Sequence, residues 1–405
     1  MRTDYKVAIV GGGASGLLCA VELLKGDNAL RGENVLIAER NERVGKKLVA
    51  TGNGQGNFTN SEVSDNHFYG DKLFIKTFLK NSLIDLPAYF GDLGVPLVSE
   101  SDGRYYPLSK QASSSLDIIR KFLNYKKCDV FTSTFVKTID FKNNVFKLTF
   151  ADGNTVRAER LVIATGGCAG KQFGTDGFGY RLAEKFGHKT TKLAPSLVQV
   201  KTETRSIKGL KGIKERVGLS LCDGERFISS CCGDLLFTDY GVSGNSVFSL
   251  SSKIEELKNP FFSIDFLPSY SPAELEELLS KRLNTAYIGK DDLLTGIINK
   301  KTGQSILKDI TKPTAETITR AVKNFRLKII GTLGFDYAQV TKGGIDTRDV
   351  NPFSMQSKLN DSLFLIGEIL NVDGDCGGYN LTFAFSSGII AAKNIKTSFG
   401  VKSSQ

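Results

Sequence analysis

An α/β fold, with a parallel sheet, an antiparallel meander and a separate β-rich insertion, is what three stretches of this 405-residue sequence predict. The first is Lys6 to Arg40: an apolar strand, the run Gly11-Gly12-Gly13-Ala14-Ser15-Gly16, an amphipathic helix, then a second strand Val35-Leu36-Ile37-Ala38 closing on Glu39. The second is Thr134 to Gly167, two alternating strands and a buried one ending at a glycine pair. The third is Ser362 to Lys393, a buried strand followed by Asp373-Gly374-Asp375-Cys376-Gly377-Gly378-Tyr379-Asn380 and a helix rich in small residues.

The first stretch is a dinucleotide-binding βαβ unit. Gly11 permits the tight turn, Gly13 lets backbone approach a pyrophosphate, and Gly16 lets the helix pack on the strand, while the helix N-terminus offers free N–H donors. A bare G-x-G-x-x-G is weak, but Val7-Ala8-Ile9-Val10 before it, Leu17 to Leu24 after it, and an acid at the end of the next strand supply the context it needs. In the second stretch Thr134 to Asp140 and Val145 to Phe150 pair across a Lys142-Asn143-Asn144 turn, and Thr155 to Ala158 follows Asp152-Gly153. Arg160 to Ala164 then reads as a fully buried strand. Gly174-Thr175-Asp176-Gly177-Phe178-Gly179 opens a helix through Tyr180 to Phe186.

After Ala194-Pro195-Ser196 come short alternating segments at Leu197 to Val200, Gly218 to Cys222, Phe227 to Ser230 and Phe261 to Phe266, a small antiparallel β unit. Ser271-Pro272-Ala273-Glu274 is a helix start with Ser as N-cap and Pro in the first turn. The predicted organisation is 1–194 and 339–405 as one nucleotide-binding domain, interrupted by 195–338, of which about 195–268 is β and about 271–326 helical. The third stretch places a second glycine-rich anion site at a second helix N-terminus, and two such sites fit a long ligand lying between them.

Composition narrows the function. Hydrophobic content of 40% and charge of 24% describe a soluble globular chain. The most membrane-like run, Val7 to Leu24, is broken by glycines, Ser15 and Glu22, so no membrane span or anchor is expected. Seven cysteines without an export signal fit reduced thiols in a cytoplasm. With only His67 and His188, zinc sites and histidine triads have little material, and no metal is expected. The net charge of +10 suits polyanions, but the lysines are scattered with no aromatic-interleaved run, so solvated surface explains it and nucleic acid is not expected as a partner.

Taken together, the ordered blocks resemble the BaiN-like flavoproteins, related to YhiN and bacterial aminoacetone oxidase, within the glutathione-reductase-type FAD superfamily. They are Gly11 to Gly16; Val44 to Leu48, Thr51 to Gly54 and Asn57 to Asn60; Gly103 to Pro107; Ala164 to Gly167 and Gly174 to Gly177; Leu236 to Thr238 with Gly241 to Gly244; Gln339 to Gly344; and Gly367-Glu368 with Asp373 to Leu381. The resemblance implies a Rossmann-like FAD-binding domain with an inserted β-barrel-like and helical domain. It implies FAD held by Gly11, Gly13, Ala14, Ser15 and Gly16 at the pyrophosphate, Glu39 at the adenosine ribose with Arg40 beside it, Lys47 and Thr51 along the cofactor, and Val136 near adenine. Thr165 and Gly166 close over the same region, Gly367 and Glu368 support the ribityl or pyrophosphate part, and Asn380 and Leu381 present backbone to the flavin. Three departures stand out: Gly54-Gln55-Gly56-Asn57 where relatives usually read Gly-Arg-Cys-Asn, Ser243-Gly244-Asn245 for Ser-Gly-Pro, and Phe383 and Phe385 for tryptophans.

Because flavin carries the chemistry, the chain need only orient a small-molecule substrate and supply a proton. Tyr379 and Asp375 are the candidates, read equally as a packed aromatic and a turn residue. Arg104 and Tyr106 are candidate substrate residues, read equally as hairpin or strand packing, and the resemblance alone adds Phe237. Cys376 is a candidate redox thiol or a small buried one, and Cys231-Cys232 a vicinal pair or two ordinary thiols. His188, after Gly187 at a helix end, is explained by the helix dipole. The expected activity is hydride exchange between flavin N5 and a small substrate: reduction of a conjugated double bond with NADH or NADPH as transient donor, or oxygen-dependent oxidation of a small amine. Alternatives from other classes are a flavin-dependent tRNA methyltransferase and an FAD-binding protein without turnover.

Overall fold

In the computed structural model, which describes residues 2–26 and 28–400, the chain divides into two compact units, residues 1–193 with 340–405 and residues 194–339. The first unit is built on a seven-stranded sheet. Its parallel part runs Asp129–Phe131, Val35–Ala38, Asp4–Val10 and Thr155–Ile163, with Leu363–Leu365 beside the last of these. Val145–Phe150 and Val136–Lys142 extend it as an antiparallel meander. Thr155–Ile163 is one strand serving both halves: Thr155 to Ala158 pair antiparallel with Thr149 to Phe146, and Leu161 to Ile163 pair parallel with Leu363 to Leu365. Its burial follows this division, alternating in the meander half and continuous in the parallel half.

Two helices of this unit lie directly against each other, Ala14–Leu24 and Tyr379–Ser398. Their small residues make the approach possible: a Cβ on Gly388 would sit 2.3 Å from the Ser15 carbonyl oxygen. Buried Glu22 and half-buried Lys396 tie the same helices, with Lys396 Nζ 2.8 Å from Glu22 Oε1 and the Tyr89 hydroxyl donating to Glu22 Oε2 at 3.1 Å. His188 differs from expectation. It is buried, 3% exposed, with Nε2 2.8 Å from Ser357 Oγ and no partner for Nδ1 among the described residues, and burial lowers its pKa where a helix C-terminus would raise it.

The second unit is a closed barrel of Val200–Thr202, Gly241–Ser243, Arg226–Phe237, Lys214–Asp223, Pro260–Asp265 and Phe325–Thr332. Helices Pro272–Leu283, Lys300–Lys308 and Ala315–Lys323 precede the closing strand, which the helical reading up to residue 326 did not anticipate. Ser271 caps the first of these with a full capping box to Glu274. Asn245, where relatives usually carry proline, accepts from the Asp234 N–H at 2.7 Å and so fastens helix Asn245–Ser251 to the barrel. All seven cysteines are free thiols, Cys231 and Cys232 included.

Candidate functional site

The glycine run forms an anion cradle. Gly11 has φ +108°, and a Cβ there would meet the Ala164 carbonyl oxygen at 2.4 Å. A Cβ on Gly16 would lie 2.1 Å from the Gly11 carbonyl oxygen, so this glycine is required by helix–strand packing. Gly13 is different: it caps helix Ala14–Leu24 with no side-chain hydrogen bond, and the space a Cβ would fill is empty. An uncapped helix N-terminus beneath open space fits a pyrophosphate.

Around that cradle the structure gathers most of the residues expected there. Glu39 is buried, its Oε2 accepting from the Gly12 N–H and its Oε1 from the backbone and side chain of Asn41, each at 2.8 Å. Arg40 pairs with Asp176 at 2.8 Å and lies over the Phe135 ring. Burial opposes ionisation of Asp176, but the Arg40 hydrogen bond and charge outweigh it and lower its pKa. The N–H groups of Ser133 and Thr134 bind the carbonyls of Asn41 and Glu39, which brings the chain before buried Val136 alongside. Thr165 adjoins Gly11, its hydroxyl oxygen buried without a partner among the described residues, and Gly166 has φ +71°.

From there the site continues along Lys47, whose Nζ lies 2.8 Å from Glu368 Oε2 and 3.1 Å from the Ala169 carbonyl. Glu368 Oε1 accepts from the Thr341 N–H at 3.0 Å. Gly367 sits against Ser15, so close that a Cβ would approach Ser15 Oγ to 2.5 Å. Thr51 spends its hydroxyl on the Leu48 carbonyl. Gly367, just before the last helix's leading loop, therefore packs directly on the start of the first helix.

At the second helix start, Asn380 closes the preceding loop by bonding both N–H and C=O of Gly374 at 2.8 Å, and half-buried Leu381 follows it. Its side chain is thus committed, leaving its backbone to meet a ligand. The loop Asn57 to Asn60 clasps the same end: Thr59 Oγ1 meets Thr382 Oγ1 at 2.8 Å and Asn60 donates to the Gly377 carbonyl at 3.0 Å. Pairing of Thr59–Asn60 with Arg104–Pro107 brings Arg104 and Tyr106 to this end. Arg104 pairs with Asp102 at 3.4 Å. Burial raises the pKa of the Cys376 thiol, although Arg104 opposes the shift.

Phe237 is a correction. Its side chain is fully buried in the barrel against Phe266, 6.4 Å between ring centroids, and cannot face a substrate. Asp375 is engaged twice, accepting from the Tyr69 hydroxyl at 2.8 Å and lying 3.1 Å from His67 Nδ1. Tyr379 stacks on the His67 ring, 4.3 Å between centroids and 12° between planes. It also lines a polar cleft of about 470 Å³ with Asn60, Ser61, Glu62, Asp102 and Gly103 among its walls. His67 and Tyr69 were not singled out from sequence; the rarity of histidine was the available signal, and their strand partner lies more than three hundred residues away.

Comparison with known proteins identifies the family. The chain is 33% identical to a 3-dehydro-bile acid Δ(4,6)-reductase of Clostridium scindens over 96% of its length and 98% of the relative's. It is 26% identical to a ribosomal RNA dihydrouridine synthase of Haemophilus influenzae, covering 96% and 97% respectively. In fold it is similar to a 3-ketosteroid Δ4-(5α)-dehydrogenase of Rhodococcus jostii, with a TM-score of 0.51, 14% identity and coverage of 96% and 97%. The family model described as HI0933-like protein Rossmann domain matches residues 5–394, and the chain belongs to that family of FAD-dependent oxidoreductases.

Proposed function

We propose that this enzyme reduces a carbon–carbon double bond conjugated to a carbonyl in a small organic substrate, with NADH or NADPH restoring the flavin. The observation that carries this reading is the 33% identity to a bile-acid reductase across nearly the whole of both chains. The second relative, by its name, makes dihydrouridine, a different product of the same bond chemistry. In a 3-oxo steroid and in uracil alike the double bond is conjugated with a ring carbonyl, so hydride goes to the far carbon and a proton to the near one.

Bound FAD supplies the hydride. The chain's contribution is binding and one proton. The open N-terminus at Gly13 would hold the pyrophosphate, with Glu39 at the ribose and Lys47 and Glu368 along the middle of the cofactor. The N-terminus of Tyr379–Ser398 would offer partial positive charge to a reduced flavin bound beside it. Tyr379 supplies the proton: burial, and then the Asp375 carboxylate, raise its pKa, so it remains a neutral O–H donor at physiological pH. Asp375, with both oxygens already accepting, serves it as a support. Arg104 and Tyr106 meet the substrate at the same end.

Anaerobic titration of the purified holoenzyme with NADH and NADPH tests this. Bleaching of the flavin bands, followed by their return on adding a 3-oxo-Δ4 steroid without oxygen, is the expected result. Failure of both nicotinamides to bleach, or of every enone to restore colour, overturns it. A uracil base in ribosomal RNA is the second reading, favoured by the dihydrouridine synthase relatives. Dihydrouridine formed in an rRNA fragment, with no steroid turnover, would select it.

A further inference from the structure

Two short strands, Phe68–Gly70 and Val372–Gly374, pair antiparallel with Phe68 opposite Gly374. One step further along this ladder His67 faces Asp375, and the Asp375 N–H donates to the His67 carbonyl at 2.9 Å. Register alone thus brings an imidazole and a carboxylate side by side at the start of the helix that begins with Tyr379. Asp375 Oδ2 lies 3.1 Å from His67 Nδ1 and Oδ1 accepts from the Tyr69 hydroxyl, so the carboxylate acts as an acceptor and the imidazole proton belongs on Nδ1. The other face of the arrangement is the stack: the His67 ring lies flat on Tyr379, which lines the polar cleft.

We propose that His67 and Asp375 form a positioning pair for Tyr379, in which Asp375 fixes the Nδ1–H tautomer and the plane of His67, and that plane holds the phenol in its proton-donating orientation. This rests on the reading of Tyr379 as the proton donor. In that reaction the hydride pair forms the new bond at the far carbon. The π pair of the double bond takes the phenolic proton at the carbon next to the carbonyl, and the O–H pair stays on the tyrosine oxygen, which regains a proton from water in the cleft. A ring held at 4.3 Å restricts the phenol to one arc, and misplacement of a reacting group by about 1 Å costs as much as 100-fold in rate.

The chain has two histidines, so 15N-histidine spectra of the full-length holoenzyme resolve both, with His188→Gln assigning the pair. The expected result is an Nδ1–H tautomer for His67 that is lost in Asp375→Asn while His188 is unmoved. An Nε2–H tautomer in the wild type, or no change in the variant, overturns the proposal whether or not the enzyme turns over. In kinetics, Asp375→Asn and His67→Phe, which keeps a stacking ring but loses the carboxylate, lower kcat for enone reduction about 10-fold with KM nearly constant. Flavin reduction by NADPH keeps its rate. Unchanged kcat in both variants removes the positioning role and leaves the proposed reaction standing; absence of any enone turnover in the wild type removes the reaction, and the spectra still decide the tautomer.

Discussion

Lys47 Nζ and Glu368 Oε2 stand 2.8 Å apart across 321 residues of sequence, joining the short helix Lys46–Ala50 to the turn that follows strand Leu363–Leu365. Both side chains are about one-fifth to one-quarter exposed, at 25% and 21%. An ion pair of that exposure contributes only about 0 to 1 kcal/mol to stability. Glu368→Gln is therefore expected to leave the melting temperature of the FAD-free protein within a few degrees of wild type while weakening FAD about 10-fold, or about 1.4 kcal/mol. Flavin fluorescence quenching measures the affinity, and a large drop in melting temperature with unchanged affinity would make the pair structural instead.

Gly13 and Gly16 belong to one motif and predict opposite phenotypes. Gly13→Ala places a methyl group in empty space, so the FAD-free protein melts as before and cofactor affinity falls. Gly16→Ala drives a methyl group to 2.1 Å from a backbone oxygen and costs stability first, by about 1 to 3 kcal/mol. Calorimetry of both variants without FAD, then with it, separates them.

Glu22 and Lys396 make the third case. Lys396→Met leaves a carboxylate that is 7% exposed and bonded by the Tyr89 hydroxyl without a cation, among the described residues, to replace the lysine, a loss of about 3 to 5 kcal/mol. The double variant Glu22→Leu, Lys396→Met removes the stranded charge and recovers most of that loss. Urea denaturation of the single and double variants checks this; a single variant as stable as wild type would show that the charge finds water.

His188 gives a pH dependence. Burial holds its pKa below the ordinary 6.5, so on acidification the unfolded chain binds a proton before the native one does. Its contribution to stability is complete above pH 6.5, declines as the pH falls through 6.5, and levels off once the native imidazole also protonates. His188→Gln is expected to flatten the melting temperature between about pH 7 and 5. An equal slope in the variant would assign the dependence to other groups.

Local pattern carried the fold a long way. The fingerprint, the strand Val145–Phe150 and the small-residue helix Tyr379–Ser398 are each written in a few adjacent residues, because strand alternation, glycine turns and helix packing act locally. Barrel closure by Phe325–Thr332 was not legible, since what makes it a barrel strand is pairing with Pro260–Asp265 and Val200–Thr202. The site divides in the same way. Gly13 and Glu39 announce themselves by motif, whereas His67 acquires a partner only when residues 68–70 meet 372–374, and Phe237 looked like a site residue until its burial in the barrel was seen.

The shared strand Thr155–Ile163 also sets an order of events during synthesis. Its edge at Leu161 to Ile163 is completed by Leu363 to Leu365, which leave the ribosome about two hundred residues later, on the order of 10 to 40 s at ordinary elongation rates. Throughout that interval the nascent sheet presents an unpaired backbone edge. The insertion shortens the search that follows, because its own ends are joined: the Gln339 N–H binds the Leu197 carbonyl and the Leu333 N–H that of Gln199. Once it has folded, the last strand is tethered as if by a brief loop, and the entropy of bringing it home is that of a short chain.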